Sequence, residues 1–405
     1  MLIKTDDTSE IQHSASFRSI LTIIVFVSLC QTPLLAEYGV HYEPTPAESH
    51  VQIDGTSNLH EWAIKGTVIE GYIDVNETCQ FNPKVQGLPG LNKVMASLRT
   101  HVEIPIRSLK SGHSGMDKNT YKALKSAQYP KIIYDLGQAS IKTRPKPPDV
   151  TAEFDTVGKL SIAGVTRPLN MPVSVKPLTN QRVQISGRAT MKMTDFGVKP
   201  PTALFGLLKT GDQITISFTW TVDRKTPMPH MPRYAIDLDH RQAITGTVLY
   251  YLQADGALAK SELAKAKEAL AQVQKATEKL SQMQAGQLPE DEKKAWGDDL
   301  GDLRAACAEA AKAENLEDVR LAFRRLSRDT ITLVSDFGYA PLESDKPLFS
   351  YRCSRIDQRA SQKVWLQNTP TADSPYEPPA KGQVSCGSLT AIYCPERLST
   401  QSLNK

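Results

Sequence analysis

The run DQITISFTWTV at positions 212–222 limits what this chain can fold into more than any other stretch. Ile214, Ile216, Phe218, Trp220 and Val222 alternate with Gln213, Thr215, Ser217, Thr219 and Thr221. A period of two puts the apolar set on one face of a strand and the hydroxyl and amide groups on the other. Most of these residues are β-branched or aromatic, types that suit a pleated, half-buried surface. Gly211 and Asp212 set a turn ahead of the run, and Pro227 and Pro229 end it. It reads as the last strand of an antiparallel sheet with one dry face.

The same alternation recurs upstream from Ser49. It is carried by Val51 and Ile53, then by Trp62, Ile64, Gly66 and Val68, and by Val102, Ile104 and Ile106. Ile132 and Tyr134, Leu160 and Ile162, and Leu169, Met171, Val173 and Val175 continue it, and Val183, Ile185, Gly187, Ala189, Met191 and Met193 form the longest case. Pro105 marks an edge or bulge, Gly164 and Arg167-Pro168 a turn, and the Pro-rich Arg144–Asp149 a surface loop. Asp117 is placed to cap a short helical insert over Lys118–Ser126. About eight strands with short connections and no crossover helices predict an antiparallel barrel or sandwich. An eight-stranded barrel is either filled by side chains or holds one small ligand. The small or flexible Gly187, Ala189, Met191 and Met193 lean towards a cavity, while methionine filling gaps in an ordinary core is the alternative.

Residues 1–36 read as an export signal, with Lys4 and Arg18 ahead of the apolar run Ile20–Leu29 and Ala36 at the cut. The apolar run is interrupted too early for a membrane span, and Leu29 makes Cys30 a poor lipoprotein site. A periplasmic or secreted protein is expected. The formal net charge of +4 gives no reason to expect nucleic acid. Removing the leader leaves Cys79, Cys307, Cys353, Cys386 and Cys394, an odd set in which at least one thiol is free or pairs outside the chain.

Residues 37–48 are a short linker, 49–222 the β domain, and 223–242 a second linker carrying Met228, His230, Met231 and His240. These residues suit copper, although in a linker such side chains are usually just solvated. The period then becomes 3.6 over a helical region at 243–338. Ile244, Val248 and Tyr251 open one helix, and Ser261 caps a second with Leu263, Ala266, Leu270, Val273 and Leu280 on its stripe. Pro289 starts a third with Leu300, Leu303 and Ala306 inward, beside which Cys307 is a core residue. Asn315 caps a fourth, with Asp318 three residues on, and Gly338 closes it. Short connections predict an up-and-down four-helix bundle, followed by a Cys-containing tail at 339–405 packed on it.

Four blocks carry a resemblance: HVQIDGTSNLHEWAIKGTV (50–68), GMDKNTYKALKSAQYPKIIYDL (115–136), VGKLSIAGVTRPLNMPVSV (157–175) and KMTDFGVKPPTALFGLLKTGDQITISF (192–218). In this order they resemble the YceI-like family. The resemblance implies a lipocalin-like, eight-stranded antiparallel barrel, exported to the periplasm, that binds a long isoprenoid chain such as a polyprenyl lipid or quinone tail. Lining candidates are then Val183, Ile185, Ala189, Met191, Ile214, Ile216, Phe218 and Trp220. Leu204, Phe205, Leu207 and Leu208 form one lip, or else a hairpin packing on itself. His60 and Trp62 read as a structural corner. No base stands beside a nucleophile, and no glycine loop cradles phosphate, so catalysis is not expected.

Residues 243–393 more weakly resemble a small helical domain found alone in exported proteins and at the C-terminus of some heavy-metal efflux adaptors. The matching pieces are VLYYLQADGALA (248–259), RLAFRRLS (320–327), YRC (351–353), VWLQ (364–367), SPY (374–376) and SCGSL (385–389). The soft-ligand methionines that flank both cysteines in that family are replaced here, by Ser354-Arg355 after Cys353 and by Val384-Ser385 before Cys386. Cys353 and Cys386 are candidates for binding copper or zinc or for a disulfide, which export favours; Cys394 competes as a partner. The resulting fold class is α+β multidomain, with barrel, bundle and tail in that order. The expected function is non-catalytic binding of an isoprenoid lipid or quinone, with no required cofactor and with an envelope membrane complex as partner of the helical half. An envelope copper or zinc accessory using Cys353 and Cys386 is the alternative, and a structural interaction module the second.

Overall fold

The structure, a computed structural model, describes residues 37–78, 97–145, 148–203, 208–283, 288–342, 346–353, 363–376 and 385–395. The expected export signal with Cys30, Cys79, and the lip residues Leu204, Phe205 and Leu207 lie outside these residues, as does the side chain of Leu208.

The first strands are β1 (Glu37–Pro44), β2 (His50–Ser57), β3 (Glu61–Gly66) and β4 (Glu70–Thr78). β5 (Arg99–Pro105), helix α1 (Ser114–Ala123), β6 (Lys131–Thr143), β7 (Ala152–Ile162) and β8 (Val165–Pro177) follow. The last are β9 (Arg182–Lys192), the short β10 (Thr202–Ala203) and β11 (Leu208–Arg224). β1 and β2 are two halves of one bent strand, and β3 and β4 are halves of its neighbour, since β2 pairs with β3 and β1 with β4. Counted this way, eight antiparallel strands close into a barrel. Closure is made by β11, which pairs with β9 along Gln213–Asp223 and on its other edge first with β2 and then with β1. At the bend Pro46 heads a single 3-10 turn, and Thr45 and Ser49 are stitched to the Thr221 carbonyl.

Glu37–Pro44 was expected to be linker and is strand β1, its Tyr38, Val40 and Tyr42 facing the core between exposed or half-buried neighbours. The helical insert begins earlier than expected, at Ser114, capped by the His113 backbone. Asp117 instead accepts hydrogen bonds from the Ser111 backbone at 2.7 Å and hydroxyl at 2.6 Å. Arg167-Pro168 is not a turn; the turn is Ala163-Gly164, where both residues have positive φ. Pro168 and Pro172 lie within β8, paired to β7. They are tolerated because β8 meets β9 only over Val173–Pro177, so their missing N–H groups face an unpaired edge.

The chain continues with β12 (Pro229–His230) and four helices, α2 (Leu238–Ala259), α3 (Leu263–Ser281), α4 (Glu290–Lys312) and α5 (Leu316–Phe337). Successive helices pack on one another and the first also meets the last, as an antiparallel four-helix bundle requires. α2 starts well before Ile244, with Asp237 accepting from the His240 backbone at 2.9 Å. Ser261 sits in the left-handed region ahead of α3, so Glu262 is the N-cap. Asn315 caps α5 by accepting from Asp318, and Gly338 closes it with φ 71°. Trp296, Leu300, Leu303, Ala306 and Cys307 of α4 are buried against the others. Burial pushes the free Cys307 thiol up to about 11, despite a contact with Thr277.

The tail adds three strands that no periodicity announced, β13 (Leu348–Cys353), β14 (Lys363–Gln367) and β15 (Ser388–Tyr393). With β12 they form a sheet of order β12-β15-β13-β14. This sheet docks on the helices through a buried polar knot: Tyr251 Oη and Ser327 Oγ are 2.8 Å apart, Tyr376 Oη donates to Ser327 at 3.1 Å, and the Leu366 N–H donates to Tyr251 at 3.1 Å. Tyr251→Phe strands the buried Leu366 N–H, and should lower stability by about 1–3 kcal/mol in urea unfolding.

The outer face of the barrel carries His101 of β5, with Nδ1 2.6 Å from Asp135 of β6 and Nε2 3.5 Å from Glu103. The Asp135 hydrogen bond, opposed by partial burial, holds the imidazole above its usual value of 6.5. Since the folded pKa exceeds the unfolded one, the pair stabilises fully below about pH 6.5 and loses its effect as pH rises through the raised value. Asp135→Asn should therefore cost on the order of 0.5–1 kcal/mol at acidic pH and nothing measurable in alkaline buffer, read from denaturation curves at both.

Candidate functional site: an apolar cavity inside the barrel

Alternation along every strand sends one set of side chains inward, and these leave a cavity of about 230 Å³. That exceeds the ~150 Å³ at which an engineered apolar cavity stays dry and accepts a small apolar molecule. β2 contributes Val51 and Ile53, β5 Val102 and Ile104, β7 Phe154 and Leu160, and β8 Leu169, Met171, Val173 and Val175. On β6 the inward set runs Ile132, Tyr134, Leu136 and then Ala139. The change of parity has a cause: the ladder with β7 slips between Leu136 and Gln138, and a bulge sends the next residues to the other face.

Of the candidates read from the sequence, Val183, Ile185, Ala189 and Met191 of β9 and Ile216, Phe218 and Trp220 of β11 line this cavity. Ile214 does not. It is buried between Met191 and Gly55 on the flanking strands, next to the irregularity in the β11–β2 ladder. Gly187 breaks the inward row of β9 for a steric reason: a Cβ there would lie 2.8 Å from the Phe218 ring. The wall contributed by β1 to β8 is not among the candidates read from the sequence. Its alternation is visible in the sequence, but which parity faces inward is set only by closure.

The lining is almost entirely apolar. Thr156 spends its hydroxyl on the Met171 carbonyl at 2.7 Å, so what it leaves for the cavity is largely its methyl. The one charged residue in this lining is Glu77, whose carboxylate oxygens are each 2.9 Å from Arg224 Nη1. Tyr38 Oη donates to Glu77 at 3.0 Å, Tyr42 Oη reaches it at 3.5 Å, and Arg224 Nη2 donates to Tyr38 at 3.2 Å. Burial, then the Glu77 charge, pushes both tyrosine hydroxyls above their usual range. The Arg224 side chain is 4% exposed and Glu77 26%. Breaking a buried pair leaves a charge uncompensated. Because Glu77 retains some solvent, Arg224→Ala should cost roughly 3 kcal/mol, the low end for such pairs, read as a lower urea midpoint.

The cysteines of the tail are joined. Cys353 and Cys386 form a disulfide with Cα atoms 5.3 Å apart, which leaves neither as a thiolate for metal, and Cys394 is also disulfide-bonded. The linker residues with soft or imidazole side chains are dispersed. His230 Nε2 lies 3.0 Å from the Ser335 carbonyl, His240 Nδ1 lies 2.7 Å from Asp237, and Met231 is exposed. Among the described residues no three His, Cys, Asp or Glu side chains converge as a metal site. Nor is any described helix long and apolar enough to cross a membrane. His60 is exposed, and Trp62 Nε1 donates to the Thr56 carbonyl at 3.0 Å, beside Gly55, where a Cβ would overlap the indole.

No curated protein matches the chain. Among solved structures it is similar to BcnA from Burkholderia cenocepacia, with 15% identity over 44% of this chain and 98% of that one and a TM-score of 0.32. A polyisoprenoid binding domain from Saccharophagus degradans, implicated in plant cell wall breakdown, matches with 12% identity over 47% of this chain and 99% of that one, TM-score 0.32. A YCEI protein of Campylobacter jejuni matches with 17% identity over 42% and 85%, TM-score 0.28. A family of unknown function, DUF3347, matches residues 248–341. Residues 42–222, which form the barrel, match the family model of the YceI-like domain.

Proposed function

We propose that the protein is an exported, non-catalytic lipid carrier that holds an isoprenoid-type chain, a polyprenyl lipid or quinone tail, inside the barrel. The observation that carries this reading is the cavity itself, enclosed by eight strands and lined by aliphatic and aromatic side chains. Each methylene moved from water into such a lining contributes about 0.8 kcal/mol, so a long hydrocarbon is held firmly without polar contacts. The polar groups at the Glu77 end are already paired within the protein and present no nucleophile beside a base. The similarity to a structure described as a polyisoprenoid binding domain agrees with this ligand class. The helical half, with its own core and docked sheet, would serve to dock the carrier in the envelope.

Native mass spectrometry of protein exported from a bacterial host, followed by solvent extraction, tests the reading. A bound mass matching a polyprenyl or quinone species is the expected result. Ala189→Trp, which fills the middle of the cavity, should abolish that mass while thermal unfolding stays cooperative. An apo mass for the unmodified protein, with no uptake of added isoprenoid, would overturn it.

A further inference from the structure

We infer that one rim of the barrel is a docking surface for an anionic phospholipid bilayer. Antiparallel topology gathers the connections 57–61, 105–131 and 162–165, together with residues 192–203, at a single end. They brace one another there: Arg167 Nε donates to the Asp195 carbonyl at 3.0 Å, Lys209 N–H donates to Asn58 at 2.9 Å, and Gly164 lies directly under the Tyr129 ring.

The charges of the two rims are arranged differently. On the opposite rim Arg224 pairs with Glu77, Arg182 with Glu48, and Lys225 with Glu43 and Asp223. On this rim Lys131 pairs with Glu70 and Glu103, but Arg107, Lys118, Lys122, Lys125, Lys199 and Lys209 are exposed, and among the described residues no carboxylate lies within ion-pair distance of these six. Of the local acids, Asp117 accepts from Ser111, Asp212 accepts from Thr194 and Glu61 is exposed, so the exposed basic groups outnumber them. Lys118 and Lys122 stand one turn apart on α1, a like-charge spacing that weakens a helix unless an external anion compensates it.

Two further features favour a bilayer over an acidic protein. Leu59, at the tip of the β2–β3 hairpin, is 69% exposed, the largest exposure of any bulky apolar side chain described. The β8–β9 ladder also ends at Val173 and Gly187, so towards this rim the two strands run on without pairing. Leu169 and Met171 on one side, and Ala189 and Met191 on the other, flank this seam and line the cavity. A rim that seats lysines among anionic headgroups, buries Leu59 and carries the open seam would present the barrel wall to its lipid source. The choice of a lipid partner rests on the carrier reading above.

Flotation of the full-length protein with vesicles tests the inference. Binding is expected to vesicles of phosphatidylcholine with a minority of phosphatidylglycerol, not to phosphatidylcholine alone, and to weaken with salt. The exposed triple change Lys118→Glu, Lys122→Glu and Lys125→Glu should reduce binding on the order of a hundredfold at low salt, from about fivefold per lysine. Leu59→Ser should remove the part that salt does not disrupt. Equal binding to both vesicle types, a triple variant that binds like the parent, or retention on immobilised polyglutamate without vesicle binding would each overturn it. Native mass spectrometry of the same samples separates the two claims, because an empty barrel that still floats sinks the carrier reading alone.

Discussion

Everything in the β half depends on one strand being hydrogen-bonded along both edges. β11 is held by β9 on one side and, on the other, by the two halves of a bent strand, β2 and then β1. Closure removes the exposed edges that an open sheet would present, except where β8 and β9 part beyond Val173 and Gly187. It also decides which side chains become interior, and it brings Arg224 at the end of β11 to Glu77 at the end of β4 with β1 between them. The bend at Pro46 lets one strand serve two segments of the same neighbour, and Ser49 and Thr221 satisfy each other where the ladder is broken.

The interior that results is apolar in character, with few polar groups facing it. Thr156 is tied to the next strand, and the Glu77–Arg224–Tyr38 cluster neutralises its own charges. A wall of this kind distinguishes ligands by length and shape. The exterior follows another logic. One rim is laced by ion pairs between its own residues, while the other pairs Lys131 but leaves a set of exposed lysines without carboxylate partners among the described residues. The helical half has its own fully buried core around Tyr251, Phe323 and Phe337, and the tail is fixed to it by hydrogen bonds and held together by the Cys353–Cys386 disulfide. A disulfide of this kind stabilises chiefly by restricting the unfolded chain, which suits a tail whose strands are short.

Much of the barrel was legible because one buried face forces a strict period of two. β9 and β11 show this at its clearest: their cavity-lining residues follow the alternation, and Ile214, of the same parity, is buried without lining the cavity. β1 was missed because Tyr38, Val40 and Tyr42 are too few, between polar neighbours, to separate from linker. The prolines of β8 misled because a proline inside a strand is acceptable only where an edge is unpaired, a condition that concerns the neighbouring strand. The tail strands, five or six residues each, were invisible for a related reason: their partners lie far along the chain, with β12 at Pro229 completing a sheet whose β15 ends at Tyr393.

The sequence by itself determined the type of the strongly periodic elements, the succession of β half and helical half, and the shared face along the longest strands, since these follow from local periodicity and capping. The Asn315 cap and the Gly338 stop are local in the same sense. Only the tertiary structure decided that the sheet closes, that an internal space remains, and that Cys353 meets Cys386. Each of those is a property of residues far apart in the chain, fixed by register and bulges such as the slip at Leu136–Gln138, and no local pattern encodes the distance between two strand ends.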